Sequence, residues 1–209
     1  MKKEIIQIQI LSGGKLPLYA NYNDAGADVI AAEDLILHPG EAQVLPLNIK
    51  VAVPDGMEMQ VRPRSGLSLK THLRIPNTPG TVDSGYRDSV GVILENTFDI
   101  SSLSYQMLYD DELRENLEKN AQFLFPTDKN SVYTTYANKQ METPEILALA
   151  PFLIFDKQGH PYGTLYIPKG MKVAQVVFNE IIHGVFEEID DISIIGKNRG
   201  GGYGSTGIK

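Results

Sequence analysis

Three short turns along the chain gather the residue types that phosphate chemistry needs. They are Asp24-Ala25-Gly26-Ala27-Asp28, Pro63-Arg64-Ser65-Gly66-Leu67-Ser68-Leu69-Lys70, and the stretch from Asn77 through Gly80-Thr81-Val82-Asp83-Ser84-Gly85-Tyr86-Arg87. Arg64 and Ser65 beside Gly66 offer a guanidinium, a hydroxyl and an accessible amide, all suited to phosphate oxygens. Asp28 and Asp83 are carboxylates for two different jobs, one near a hydrated cation and one as a general base. Tyr86 and Tyr203 supply flat rings for a sugar or a base. One such triplet alone is usually only a turn. Together they make an inventory for a nucleoside triphosphate site.

Other chemistries find less support. The chain has no G-x-x-x-x-G-K-[ST] run and no G-x-G-x-x-G after a strand, which disfavours a kinase or a dinucleotide enzyme. Zero cysteines exclude disulfides, thiolate metal sites and a cysteine nucleophile. His38, His72, His160 and His183 are scattered without ligand spacing, so no structural zinc site is expected. The 209 residues carry a formal charge of −7, which argues against nucleic acid as a partner held by phosphate neutralisation. A local basic cluster or a cation still permits a small anionic substrate. No segment approaches the ~20 apolar residues of a membrane span, and the start has no signal-peptide core. A cytoplasmic protein that meets no membrane is the expectation.

The elements that must position these turns are strands. Ile6, Ile8 and Ile10 alternate with glutamines. Ile49, Val51 and Val53, then Met57, Met59 and Val61, then Val90, Val92 and Leu94 follow the same period, and Val173 to Phe178 is apolar except for Gln175. Such alternation places one face on a core and one toward water. Pro39-Gly40, Pro54-Asp55-Gly56, Pro79-Gly80 and Pro168-Lys169-Gly170 punctuate the runs. The pattern predicts an all-β sandwich or barrel, with a jelly roll as one option.

Residues 97–160 break the period. Leu103, Met107, Leu113, Leu117, Ala121 and Leu124 have helical spacing, with Asp110, Asp111, Glu112, Glu115 and Glu118 on the polar face. Thr143-Pro144 reads as a second helix start. The stretch holds ten acidic and five basic residues and nine of the 17 aromatics. It is an insertion that builds a small core of its own, binds a protein partner, or does both. Residues 199–209, with five glycines, cannot form a stable helix or central strand. They read as a frayed tail or as an arm that orders over a ligand.

The order and content of these segments resemble the trimeric dUTPase family. A-G-A-D-V (Ala25–Val29), P-R-S-G-L-S-L-K (Pro63–Lys70), G-T-V-D-S-G-Y-R (Gly80–Arg87), G-M-K-V-A-Q-V-V-F (Gly170–Phe178) and R-G-G-G-Y-G-S-T-G (Arg199–Gly207) resemble its five motifs in sequence order. Three glycines separate Arg199 from Tyr203, where most members have four residues.

The resemblance implies a jelly-roll homotrimer with active sites shared between subunits, hydrolysing dUTP to dUMP and pyrophosphate with Mg2+. It implies that Asp83 orients and deprotonates the attacking water. Arg64, Ser65, Gly66, Gln175 and Arg199 would hold the triphosphate, and Asp28 hydrated magnesium through water. Asn77, Gly80, Val82 and Tyr86 would belong to a hairpin that reads uracil and deoxyribose. Tyr203 would stack on the base, with Gly204 and Ser205 beside it in the closing arm. The implied organisation is a β core of residues 1–96 and 161–198, an insertion at 97–160 and an arm at 199–209. Two alternatives stay open: a dCTP deaminase on the same scaffold, and a regulatory protein that binds a partner through the insertion.

Overall fold

The computed structural model describes residues 3–124, 133–136, 139–142, 153–197 and 200. Fourteen strands and three α-helices are present among them. The strands are β1 (Gln7–Ile10), β2 (Ala27–Ile30), β3 (Leu35–Leu37), β4 (Ala42–Ala52), β5 (Met57–Arg62), β6 (Leu73–Arg74), β7 (Gly80–Val82), β8 (Ser89–Asn96), β9 (Gln122–Leu124), β10 (Tyr133–Tyr136), β11 (Lys139–Glu142), β12 (Leu153–Phe155), β13 (Leu165–Ile167) and β14 (Lys172–Glu180). The helices are α1 (Ser65–Lys70), α2 (Leu103–Gln106) and α3 (Asp111–Asn120). The helix start expected at Thr143-Pro144 lies outside the described residues, as does the arm apart from Gly200.

The expected all-β architecture is present. There are two four-stranded antiparallel sheets, ordered β1-β4-β8-β6 and β2-β14-β5-β7, and β3 and β13 form a separate antiparallel pair. The period-two residues explain why. Along β4, Leu45, Leu47, Ile49 and Val51 are buried while the residues between them are not. Met59 and Val61 of β5 and Val90, Val92 and Leu94 of β8 add their buried faces to one apolar cluster. Each such side chain contributes about 1.5–3 kcal/mol by leaving water. No helix among the described residues is long and apolar enough to cross a membrane.

The insertion departs from the single amphipathic helix expected over 103–124. The helical stretch stops at Met107 and restarts as α3, because the Asp110 carboxylate accepts from the Leu113 amide at 2.8 Å and caps the new helix. Arg114 spans the break by donating to the Met107 carbonyl at 2.7 Å. Leu124 is not helical at all. It belongs to β9, which pairs with β12. Leu103, Leu117 and Ile154 form a small second core, with Phe98, Met107 and Leu113 packed against it.

Two contacts root this insertion in the β core. Asn96 is fully buried, its Nδ2 donating to the Leu37 and Gly163 carbonyls at 3.0 and 2.9 Å and its Oδ1 accepting from the Phe98 amide. Histidines that look unrelated in sequence also meet there: His38 Nε2 lies 3.0 Å from His160 Nδ1, with the rings stacked. Glu41 lies against the other ring nitrogen of His38, and Tyr166 meets the His160 ring edge-on. No group of three or more metal-ligating side chains with room for an ion occurs among the described residues.

Candidate active site

β2 presents Asp28 to a cleft because Ala27 and Val29, on either side of it, are buried in the core. β14 aligns Gln175 opposite Asp28 on one side and opposite Arg62 on the other. The Gln175 side chain donates to the Pro63 carbonyl at 2.9 Å, which pins the turn leaving β5. That turn carries Arg64 in extended backbone and then enters the six-residue α1, beginning with Ser65 and Gly66.

These residues share one cleft of about 380 Å³, lined by Asp28, Arg64, Ser65, Gly66 and Gln175 together with Ala20, Asp24, Ala25 and Gly26. The first five were expected at a phosphate site from sequence. Asp24 was visible only as part of a turn, and its Oδ2 accepts from the Asn21 amide at 2.8 Å, shaping the rim. Nothing in the sequence pointed to Ala20, which the antiparallel bridge between Leu18 and Asp28 carries to the cleft. Gly26 has a visible reason for having no side chain, since a Cβ there would overlap the Gln175 amide.

Asp28 is held from two sides. Arg64 Nε donates to its Oδ1 at 2.9 Å and Lys172 Nζ lies 2.8 Å from its Oδ2. Partial burial opposes ionisation of this carboxyl, but the hydrogen bonds and charges of Lys172 and Arg64 outweigh it and hold the group below the usual carboxylate range. Lys172 stands in the sequence only within the motif-like segment Gly170–Phe178, with no role assigned to it, so its place at the site is a finding of the structure.

The second group of expected residues lies elsewhere on the chain. Asn77 lies just before β7, Gly80 and Val82 are its ends, and Asp83 and Tyr86 lie in the turn that follows it. Gly80 pairs with Val61 and Val82 with Met59, so β7 runs antiparallel to β5 and delivers Asp83 to the end of the sheet away from Arg64. In the order β2-β14-β5-β7, Asp28 lies on one edge strand and Asp83 directly follows the other. Three inter-strand spacings put those edges about 14 Å apart even before the offset along the strands. Val82 is buried, whereas Asp83 is exposed. The Tyr86 ring is 40% exposed, its hydroxyl donating to the Ser89 carbonyl at 3.0 Å. One chain therefore unites Asp28, Arg64, Ser65, Gly66 and Gln175 but does not bring Asp83 and Tyr86 to them. Arg199, Tyr203, Gly204 and Ser205 lie outside the described residues.

The donor set bears on a metal. Mg2+ usually takes one or two protein carboxylates and completes its shell with water and substrate phosphate. Asp28, with Asp24 on the same rim, supplies hard oxygens of that kind beside Arg64, so the residues fit a cation delivered with a phosphate ligand.

A family model described as dUTPase matches residues 13–101. The deoxyuridine 5'-triphosphate nucleotidohydrolase of Gloeothece citriformis is 32% identical over 193 residues, covering 92% of this chain and 89% of that protein. The Clostridium tetani protein of the same name is 31% identical over 208 residues, 99% of each. Among solved structures, a Staphylococcus bacteriophage 80alpha dUTPase with dUpNHpp matches with a TM-score of 0.66 at 22% identity, covering 99% of this chain and 100% of that one. The dUTPase of phage phi11 of S. aureus, described as showing a species-specific insert, matches with a TM-score of 0.61 at 23% identity, over 91% and 99%. Those two likenesses concern the fold, while the near end-to-end sequence relatives settle membership: the chain belongs to the dUTPase family.

Proposed function

We infer that the protein hydrolyses dUTP to dUMP and pyrophosphate, a step of nucleotide metabolism that keeps uracil out of DNA. The observation that carries this is its similarity along almost the whole chain to deoxyuridine 5'-triphosphate nucleotidohydrolases. The cleft supports the same reading, since a guanidinium, a hydroxyl and a glycine amide converge beside a cation-paired carboxylate.

In the reaction, water attacks the α-phosphorus and pyrophosphate leaves. Asp83 accepts the water's proton as the bond forms, because water is a poor nucleophile at neutral pH. Arg64, Ser65, Gly66 and Gln175, with Arg199 from the arm, neutralise and orient the triphosphate. When bound through water at Asp28, Mg2+ supplies positive charge for the phosphate oxygens. Asn77, Gly80, Val82 and Tyr86 hold the nucleoside. Fixed backbone donors and acceptors match uracil, while cytosine would leave buried polar atoms unpaired. Tyr203 stacks on the base, with Gly204 and Ser205 ordered over it. We retain residues 1–96 and 161–198 as the catalytic unit, 97–160 as its insertion and 199–209 as the arm.

A homotrimer completes the site. The nucleoside turn and the phosphate cleft lie at opposite edges of one sheet, so copies must meet for Asp83 to face a triphosphate. The segment after β14 supports such exchange: Ile182, Val185 and Phe186 are 96–98% exposed. An isolated chain does not usually leave such a contiguous apolar stretch in water. Light scattering gives the mass in solution.

The decisive assay measures pyrophosphate released from dUTP, dCTP, dTTP and UTP, with and without magnesium, and ammonia from dCTP. We expect pyrophosphate from dUTP alone, and ammonia from dCTP would move the protein to the deaminases. Asp83→Asn should keep binding a non-hydrolysable dUTP analogue while kcat falls ~10²-fold or more. Unimpaired turnover would remove Asp83 from this role.

The insertion supports an additional role as a protein-binding surface. Tyr105, Leu108 and Tyr109 are exposed next to the acidic start of α3. Partner binding of this kind survives Asp83→Asn and is lost on deleting residues 100–158.

A further inference from the structure

Arg64 and Lys172 share the Asp28 carboxylate, but they are placed differently. Arg64 lines the cleft beside Ser65 and Gly66, while Lys172 reaches the other carboxylate oxygen of Asp28 from β14. We propose that Lys172 is a positioning residue of this site, holding Asp28 through Oδ2 while Arg64 leaves Oδ1 to bind the triphosphate. The proposal rests on the dUTP-hydrolysing reading and adds a residue to it.

The backbone is irregular at the point where this contact requires it. Strict alternation along β14 would send Lys172 and Gln175, three positions apart, to opposite faces. The register instead shifts between Lys172 and Ala174, and Val173 and Ala174 are both buried in succession. That bulge turns Lys172 onto the face of Gln175 and Asp28, a re-aiming that bulges near active sites commonly perform. The Lys172 carbonyl also accepts from the Arg64 guanidinium at 3.3 Å, closing a ring of three residues.

The need for a second cation follows from burial. The Asp28 side chain is 14% exposed. With Arg64 as its sole partner, departure of the guanidinium would leave a mostly buried carboxylate unheld, and it would swing out of place. With Lys172 on Oδ2, Asp28 stays oriented, and Oδ1 is released toward the cleft at the moment the phosphates arrive.

Lys172→Gln and Lys172→Arg test this with two readouts. The first is the calorimetric affinity for the non-hydrolysable analogue dUpNHpp. We expect Lys172→Gln to weaken it about tenfold and Lys172→Arg to restore it. The second is the magnesium requirement of dUTP hydrolysis, which should rise in Lys172→Gln and return in Lys172→Arg. An unchanged analogue affinity in Lys172→Gln overturns the proposal, and so does a loss that Lys172→Arg does not restore. A wild type that binds dUpNHpp without hydrolysing dUTP, with that binding weakened by Lys172→Gln and restored by Lys172→Arg, refutes the functional reading and upholds Lys172 as the residue that holds Asp28.

Discussion

Gly26→Ala places one methyl group at the joint of the phosphate cleft. A Cβ on Gly26 would overlap the Gln175 Oε1 and approach its Cδ at 2.9 Å and its Cβ at 3.2 Å. The amide end of Gln175 can rotate, but doing so breaks its 2.9 Å hydrogen bond to the Pro63 carbonyl. Losing a hydrogen bond and leaving a shielded carbonyl unpaired costs about 1–3 kcal/mol. For a chain of this size, that corresponds to a fall in Tm of roughly 2–4 °C per kcal/mol. The Pro63 turn also carries Arg64, so kcat/KM for dUTP should fall by about tenfold, the kinetic equivalent of 1.4 kcal/mol. The double-mutant cycle with Gln175→Ala separates this mechanism from a general loosening of β2. Removing the Gln175 amide clears space for the new methyl, so the double variant should be no less stable than Gln175→Ala alone. Additive losses in Tm, or a Gly26→Ala protein indistinguishable from wild type, would refute the argument.

Asp28 makes a signed pH prediction. Its folded-state pKa is lowered by Lys172 and Arg64, so its contribution to stability is present above the unfolded value and is lost as pH falls through the folded one. Urea midpoints between neutral pH and pH ~3 should therefore show a shallower acid loss in Asp28→Asn than in wild type. Asn96→Leu strips partners from two carbonyls and the Phe98 amide at once, and it should lower unfolding free energy by about 2–4 kcal/mol in urea titrations. Tyr166 donates to Asp156, and burial together with that carboxylate pushes its phenol well above the usual tyrosine range. Ultraviolet titration of wild type against Tyr166→Phe should find one tyrosine that resists ionisation until the protein unfolds.

The β scaffold was legible because alternation is a local signal. Ile49, Val51 and Val53 need no knowledge of their neighbours to announce a half-buried strand, and the structure buries all three. The insertion shows where local reading fails. Leu103 to Leu124 satisfies a helical period, yet Asp110 caps a fresh helix midway and Leu124 pairs with Leu153 across the insertion. A periodicity count does not register a capping carboxylate or a strand partner 29 residues away.

The sequence by itself determined which chemistry the protein carries, because a guanidinium, a hydroxyl, carboxylates and glycine turns keep their chemical character wherever they lie in the chain. Tertiary structure alone decided how those groups meet. It closed Arg64 and Lys172 on Asp28 through a bulge in β14, joined His38 to His160 across 122 positions, and separated Asp83 from the phosphate cleft by the width of a sheet. Residue type is a local property. Register, bulges and strand order are set by how the whole core packs, and small changes in them move side chains from one face or edge to another.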